Sequence, residues 1–197
     1  EVIVVDDGSE DGAAQRLPRS VRVLRQEPLG IVAALERGRR ACAGEYVARL
    51  DADDRALPGR LDAQVEALRG DSMLAAVGGR GQLFVDEGQP PEGMRRYVDW
   101  VNGLANPPPQ LLVESPLLHP AVTMRASAVE AVGGYREADV PEDYDLWLRL
   151  VAAGWRLTNL ERDVVEVRDH PGRLTRTHSR YSRQAFDRCR KEFLMQG

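Results

Sequence analysis

Glu45-Tyr-Val-Ala-Arg-Leu-Asp-Ala-Asp-Asp54 is the stretch on which the fold turns. A strand-like segment, Glu45 to Leu50, runs directly into a cluster of carboxylates. Asp51 and Asp53 form a D-x-D pair where a buried strand would open into a loop. Carboxylates at such an edge can hold a hard divalent cation against a phosphate-bearing ligand. Aspartate is also common in turns and helix caps, so the pair takes its meaning from its surroundings. Two further acidic clusters flank it, Val5-Asp-Asp-Gly-Ser9 and Pro141-Glu-Asp-Tyr-Asp145.

Outward from that stretch, strands and helices alternate. Val2 to Val5 is a β-branched run of the kind buried on both faces of a sheet. Asp6 to Gly12 is turn chemistry, followed by a short helix stopped at Pro18. Val21 to Leu24 reads as a second strand. Ile31, Ala34, Leu35, Gly38, Ala41 and Cys42 recur at helical spacing before Gly44. Pro58 suits a first helical turn, with Leu61, Val65 and Leu68 as the buried face. Leu74 to Val77 and Gln82 to Val85 read as two more strands. The alternation predicts an α/β domain with a mostly parallel sheet and helices on both faces. Ligands of such sheets bind at the carboxyl ends of the strands, where Asp6, Asp7, Asp51 and Asp53 fall.

The second half is less regular. Gly88–Gly93 and Asn106–Pro109 read as loops and Met94–Leu104 as a helix. Ala121–Arg125 reads as a strand and Ala126–Val132 as a short helix. Pro141–Ala153 has the pattern of an amphipathic helix with Leu146, Trp147, Leu150 and Val151 inward. Val164–Val167 reads as a last strand and Ser179–Met195 as a charged, loosely packed helix.

Composition narrows the class. The 197 residues are enough for one large domain with its own core. A 43% apolar and 29% charged content is that of a globular protein. The net charge of −4 offers no basic footprint for nucleic acid. Cys42 and Cys189 show no metal-ligand spacing, and a reduced, cytoplasmic setting is the expectation. No apolar run approaches the roughly 20 residues that span a bilayer, so membrane contact would be at most peripheral. The chain opens on a strand without a methionine, which implies entry in mid-domain with an upstream strand and helix missing.

Taken in order, Gly30-Ile-Val-Ala-Ala-Leu-Glu-Arg-Gly38, Ala43-Gly-Glu-Tyr-Val-Ala-Arg-Leu-Asp-Ala-Asp-Asp54, Leu57-Pro-Gly-Arg-Leu61, His119-Pro-Ala-Val122, Val132-Gly-Gly-Tyr135 and Glu142-Asp-Tyr-Asp-Leu-Trp-Leu-Arg149 resemble the family 2 glycosyltransferases of GT-A fold. Each motif is weak alone; their shared order makes the resemblance specific, over about residues 1–172. It implies a GT-A, Rossmann-like domain over 1–172, lacking its first strand, with a basic helical tail over 173–197. It further implies an inverting, metal-dependent transfer of one sugar from a nucleoside-diphosphate sugar to a hydroxyl acceptor in bacterial cell-surface polysaccharide assembly. Asp6, Asp7 and Ser9 match the loop that contacts base and ribose. Asp51 matches an acid near ribose or metal, and Asp53 the acid that binds Mn²⁺ or Mg²⁺. Asp143 matches the general base, with Glu142 the alternative. The donor would carry UDP, GDP or dTDP, and the acceptor would be a glycan or a lipid-linked sugar.

Several departures qualify the resemblance. The family's Pro-x-Tyr-Asn-type loop is absent, and Leu35-Glu36 stands where many relatives carry Arg-Asn against the diphosphate. The Gln-x-x-Arg-Trp motif of processive synthases is also absent, which favours addition of a single sugar. His170, after the last strand, is a candidate third metal ligand or an ordinary loop histidine. Arg173, Arg176 and His178 would be a lid over phosphates or a solvated basic segment. His119 reads equally as an acceptor-site or a structural residue, and Trp147 as core. A phosphatase of haloacid-dehalogenase type, which also uses D-x-D, would want Thr or Val where Arg55 stands. The rival that is no enzyme is a truncated copy serving as a nucleotide-binding scaffold.

Overall fold

The computed structural model describes residues 1–105 and 108–195. β1 (Val2–Asp7) and β2 (Val21–Gln26) form a two-stranded parallel sheet, in register from Val2 opposite Val21 to Asp7 opposite Gln26. Helix α1 (Ile31–Ala41) lies against β1, and Gly38 lets it approach Val5 closely. β3 (Tyr46–Ala48) follows, then β4 (Arg55–Ala56), α2 (Arg60–Gly70), β5 (Leu74–Phe84) and α3 (Glu92–Asn102). The second half supplies β6 (Thr123–Arg125), α4 (Ala126–Ala131), α5 (Glu142–Ala152), β7 (Arg156–Arg168), α6 (Leu174–Thr177) and α7 (Arg183–Met195). The five-stranded sheet has the order β3-β6-β5-β7-β4. Its strand directions are mixed rather than mostly parallel. β5 and β7 run parallel, whereas β6 is antiparallel to both its neighbours and β4 is antiparallel to β7. The class is α/β, with helices packed against the sheets.

β5, β7 and α2 differ from the sequence reading, each for a packing reason. Gly78-Gly79-Arg80-Gly81 looked like a break between two strands but lies inside the single strand β5. A Cβ at Gly79 would stand 2.8 Å from the Val164 methyls, and at Gly78 or Gly81 it would collide with Asn159 or Leu118. These glycines mark close approach of neighbours, not a turn. β7 begins at Arg156, well before Val164, because its polar first half still finds ladder partners in β5. α2 is rotated about its axis. Leu61 is 53% exposed, and the buried residues are Arg60, Gln64 and Leu68.

That rotation creates a buried polar clamp. Gln64 Nε2 donates to the carbonyls of Val77, Gly78 and Ala121, and its Oε1 accepts from Thr123 Oγ1 at 2.6 Å. Arg60 Nη2 donates to the carbonyls of Arg49 at 2.7 Å and Val122 at 3.2 Å. A buried carbonyl without a donor costs about 1–3 kcal/mol, so polar side chains displace leucines where strand ends present free carbonyls.

α5 is buried nearly all round, with Leu146, Trp147, Leu150, Tyr144 and also Asp145 inside. Asp145 is matched by Arg136 and Arg149. α7 packs against α5 instead of lying loose, burying Ala185 and Cys189 and setting Phe186 5.2 Å from the Tyr144 ring. Of the loop read at Asn106–Pro109, residues 106 and 107 lie outside the described residues. No described helix is long and apolar enough to cross a membrane.

Candidate active site

A cleft of about 450 Å³ opens where β3, β7 and the start of α5 converge. Asp51, Asp53, Glu142, Asp143 and His170 all line it. Residues more than a hundred apart in sequence are thus brought together.

The acidic end is built by β3 and the two-residue strand β4. Arg49 N still bonds Val122 O, so the ladder continues to the brink of Asp51. The chain then turns, with Asp54 N donating to Asp51 O at 3.2 Å. β4 pairs with β7 at Glu166 and Val165, which lays the end of β7 beside the turn. Arg168 N donates to Asp54 Oδ1 at 2.7 Å, and His170 Nε2 comes within 3.3 Å of Asp53 Oδ2. Oxygens of Asp51, Asp53 and Asp54 lie within 4.8 Å of one another. Burial pushes Asp54 up to about 6, with Asp51 and Asp53 adding repulsion against the Arg168 hydrogen bond. Asp54 Oδ2 is buried without a hydrogen-bond partner. Three carboxylates and one imidazole fit a hard divalent ion such as Mg²⁺ or Mn²⁺. Sequence reasoning passed over Asp54 as a member of this group, although it stands next to Asp53.

The other end is the first turn of α5. Asp143 faces the cleft, and Ser115 Oγ donates to its Oδ2 at 3.0 Å. Burial, reinforced by the Glu142 charge, raises the Asp143 carboxyl to about 7. Glu142 is turned inward and only 4% exposed. Tyr181 donates to it at 2.7–2.9 Å, and Arg180 and His119 stand 3.7 and 3.8 Å away. Burial first, and then the Arg49 charge, push His119 well below the usual histidine range. A neutral His119 shares a 2.7 Å hydrogen bond with Tyr135 and meets Trp147 edge-on at 5.9 Å. His119 is thus both cleft wall and structural link, and Trp147 is core.

The Asp6–Ser9 loop is absent from the lining of this cleft. Ser9 N donates to Asp6 Oδ1 at 2.8 Å, which holds Asp6 below the usual carboxylate range. Asp6 Oδ2 makes no hydrogen bond. Asp7 accepts from Gln26 Nε2, Leu29 N and Gly30 N at 2.7–2.9 Å. Burial works against its ionisation, but these bonds outweigh it and hold Asp7 below its usual range. The loop therefore fixes the entry of α1, whose first residue Ile31 does line the cleft. Glu36, at the position of doubtful diphosphate contact, is engaged by Arg39, Arg40 and Tyr135 N and ties α1 to the 133–135 turn. Arg176 is held by Asp169 at 2.7–2.8 Å and His178 accepts from Arg180 N, while Arg173 lines the cleft.

Comparison with known proteins agrees with this architecture. EpsE of Bacillus subtilis is 32% identical over 92% of this chain and 67% of its own length. The UDP-Gal:alpha-D-GlcNAc-diphosphoundecaprenol beta-1,3-galactosyltransferase of Escherichia coli is 26% identical over 85% of this chain and 62% of its own. Among solved structures, the mannosyltransferase PcManGT of Pyrobaculum calidifontis, in complex with GDP-Man and Mn²⁺, superposes with a TM-score of 0.63. It is 21% identical over 88% of this chain and 48% of its own, a likeness of fold. The chain thus spans about half to two thirds of the length of these proteins. The family model for Glycosyl transferase family 2 matches residues 1–132. With its motifs, its GT-A fold and these relatives in agreement, the chain belongs to glycosyl transferase family 2.

Proposed function

We propose that the cleft transfers a single sugar, with inversion, from a nucleoside-diphosphate sugar to a hydroxyl acceptor, and that it does so with a divalent metal. One observation carries the reading: the D-x-D turn with His170 and the Ser115-bound Asp143 line one cavity. An inverting displacement needs both ends at once, a site for the leaving diphosphate and a base for the incoming hydroxyl. Asp51, Asp53 and His170 would hold the ion, with Asp54 behind them. When bound, Mn²⁺ or Mg²⁺ neutralises charge on the departing nucleoside diphosphate. PcManGT, which shares the fold, is known with Mn²⁺ and GDP-Man.

Asp143 takes the proton of the acceptor hydroxyl. A carboxyl raised to about 7 is a far stronger base than an ordinary aspartate, yet half ionised at neutral pH. The Ser115 hydroxyl orients it. Glu142 supports this arrangement from inside, since its oxygens are committed to Tyr181. Base and ribose would meet the Asp6, Asp7 and Ser9 loop beside the cleft, where Asp6 is buried next to Arg25 and Asp7 shapes the turn into α1. The donor base is that of UDP, GDP or dTDP. The acceptor is a glycan or a lipid-linked sugar of cell-surface polysaccharide assembly, met at the inner face of the membrane. The E. coli relative, whose acceptor is a diphosphoundecaprenol-linked GlcNAc, supports that choice.

The test is calorimetric titration of UDP, GDP and dTDP with and without Mn²⁺ on wild type and Asp53→Ala. Metal-dependent binding of one nucleotide, lost in the variant, is the expected result. Absence of binding to all of them would overturn the reading, and binding without transfer from any nucleotide-sugar in the presence of Mn²⁺ would favour the scaffold domain.

A further inference from the structure

Arg49 immediately precedes the D-x-D turn, and neither its motif nor the mechanism above gives it a task. Its side chain is only 9% exposed and yet lines the cleft. Nη2 is paired with Asp51 Oδ1, and Nη1 is buried with no hydrogen-bond partner. Arg168 and Arg173 also line the cleft and are paired with Asp86 and Asp169; Arg168 Nε is likewise without a partner, but that side chain is 37% exposed and its guanidinium is not bound to a D-x-D carboxylate. A buried guanidinium with an open donor is costly unless an anion meets it, and it is the group best shaped to take phosphate oxygens. The backbone around it is rigid, with Arg49 N on Val122 O at 2.9 Å and Arg49 O on Arg60 Nη2 at 2.7 Å. Any change of partner is therefore a side-chain rotation alone.

The pairing conflicts with the metal site. A divalent ion on Asp51 would sit close to a guanidinium already bound to the same carboxylate, and the two cations repel. A diphosphate arriving with the ion brings the negative charge that resolves the conflict. We propose that Arg49 is a displaceable cation: it neutralises Asp51 before the donor binds, then passes to the nucleotide's diphosphate and leaves Asp51 to the metal. The inference rests on the reading of Asp51 and Asp53 as metal ligands given above.

It makes a prediction of opposite signs that a merely structural ion pair does not. The full chain is titrated calorimetrically with MnCl₂ alone, then with UDP and GDP at saturating Mn²⁺, as wild type, Arg49→Gln, Arg49→Lys and Asp53→Ala. Arg49→Gln should tighten Mn²⁺ alone by about fivefold, since Asp51 loses a competing cation. The same variant should weaken the nucleotide by about tenfold, since a charged fork is lost. Mn²⁺ binding that is unchanged or weaker in Arg49→Gln, or nucleotide binding that is unchanged, would overturn the proposal. Arg49→Lys retains the charge, so Mn²⁺ affinity should stay within about twofold of wild type while the nucleotide weakens by about threefold. Should Arg49→Gln not fold, Arg49→Lys decides alone, and wild-type nucleotide affinity would refute the proposal. If wild type binds neither probe, or Asp53→Ala binds both normally, the metal-site reading has failed and this inference falls with it.

Discussion

Removing the hydroxyl that touches the proposed base should shift the pH at which the cleft works. Ser115 is buried, and its Oγ lies 3.0 Å from Asp143 Oδ2, where it donates to the carboxylate. Burial and the Glu142 charge already hold Asp143 at about 7. A hydrogen bond to a charged acceptor contributes about 1.5 kcal/mol, and one pH unit corresponds to about 1.4 kcal/mol. Ser115→Ala should therefore move the ionisation of Asp143 from about 7 to about 8. At pH 7 the ionised fraction would fall from about one half to about one eleventh, a loss of roughly fivefold in kcat/KM. At pH 9 both forms would be more than about 90% ionised, and the variant should recover most of its rate. The assay is kcat/KM for sugar transfer across pH 5.5–9.5, using whichever nucleotide-sugar the binding titrations identify. An acid limb that stays at the wild-type midpoint, or moves down, would show that Asp143 is not the group being titrated. A uniform loss at all pH values would show that Ser115 positions substrate instead.

Further outcomes follow from the same geometry. Asp143→Asn should abolish transfer and yet raise stability above pH 7. The sign follows from a folded pKa near 7 against an ordinary 3.8: the native state resists ionisation, so wild type loses stability as pH rises through that window. Urea unfolding at pH 4.5 and pH 8 should show the variant's advantage growing with pH, and an advantage confined to acid would contradict the account. His170→Ala should weaken Mn²⁺-dependent nucleotide binding by about tenfold if the 3.3 Å approach to Asp53 marks a shared ligand, and calorimetry reads this directly. Gly134→Ala should cost about 2 kcal/mol or more, because φ is +71° and the new Cβ would run into the Glu36 carboxylate that anchors α1. An unchanged denaturation midpoint would rule that anchor out. Asp7, held below its ordinary 3.8 by the Gln26, Leu29 and Gly30 bonds, contributes stability that is present above about pH 4 and lost as pH falls through its lowered pKa. Asp7→Asn should flatten the acid limb of a stability-against-pH curve.

What the amino-acid sequence determined by itself is local and periodic. Val2–Val5 and Glu45–Leu50 announced strands, Gly30–Ala43 and Pro141–Ala153 announced helices, and the Asp51 and Asp53 pair stood out at a strand end that proves to line the cleft. These follow from short-range patterns that depend on nothing distant. The order of the motifs was enough to place the chain in its family. Tertiary structure alone decided the rest. Whether Gly78-Gly79-Arg80-Gly81 is a turn or a strand depends on Asn159, Val164 and Leu118, which only the packed sheet brings near. The inward turn of Arg60 and Gln64 depends on which strand-end carbonyls lack donors, a property of three strands together. Asp143 and Glu142 are adjacent acids in one helical turn and both line the cleft, and only the folded neighbourhood gives one to Ser115 and locks the other to Tyr181. His170 reaches Asp53 because a two-residue strand pairs with the far end of β7. Contacts across more than a hundred residues leave no periodic trace in the chain, since their energy resides in the assembled neighbourhood and not in either segment.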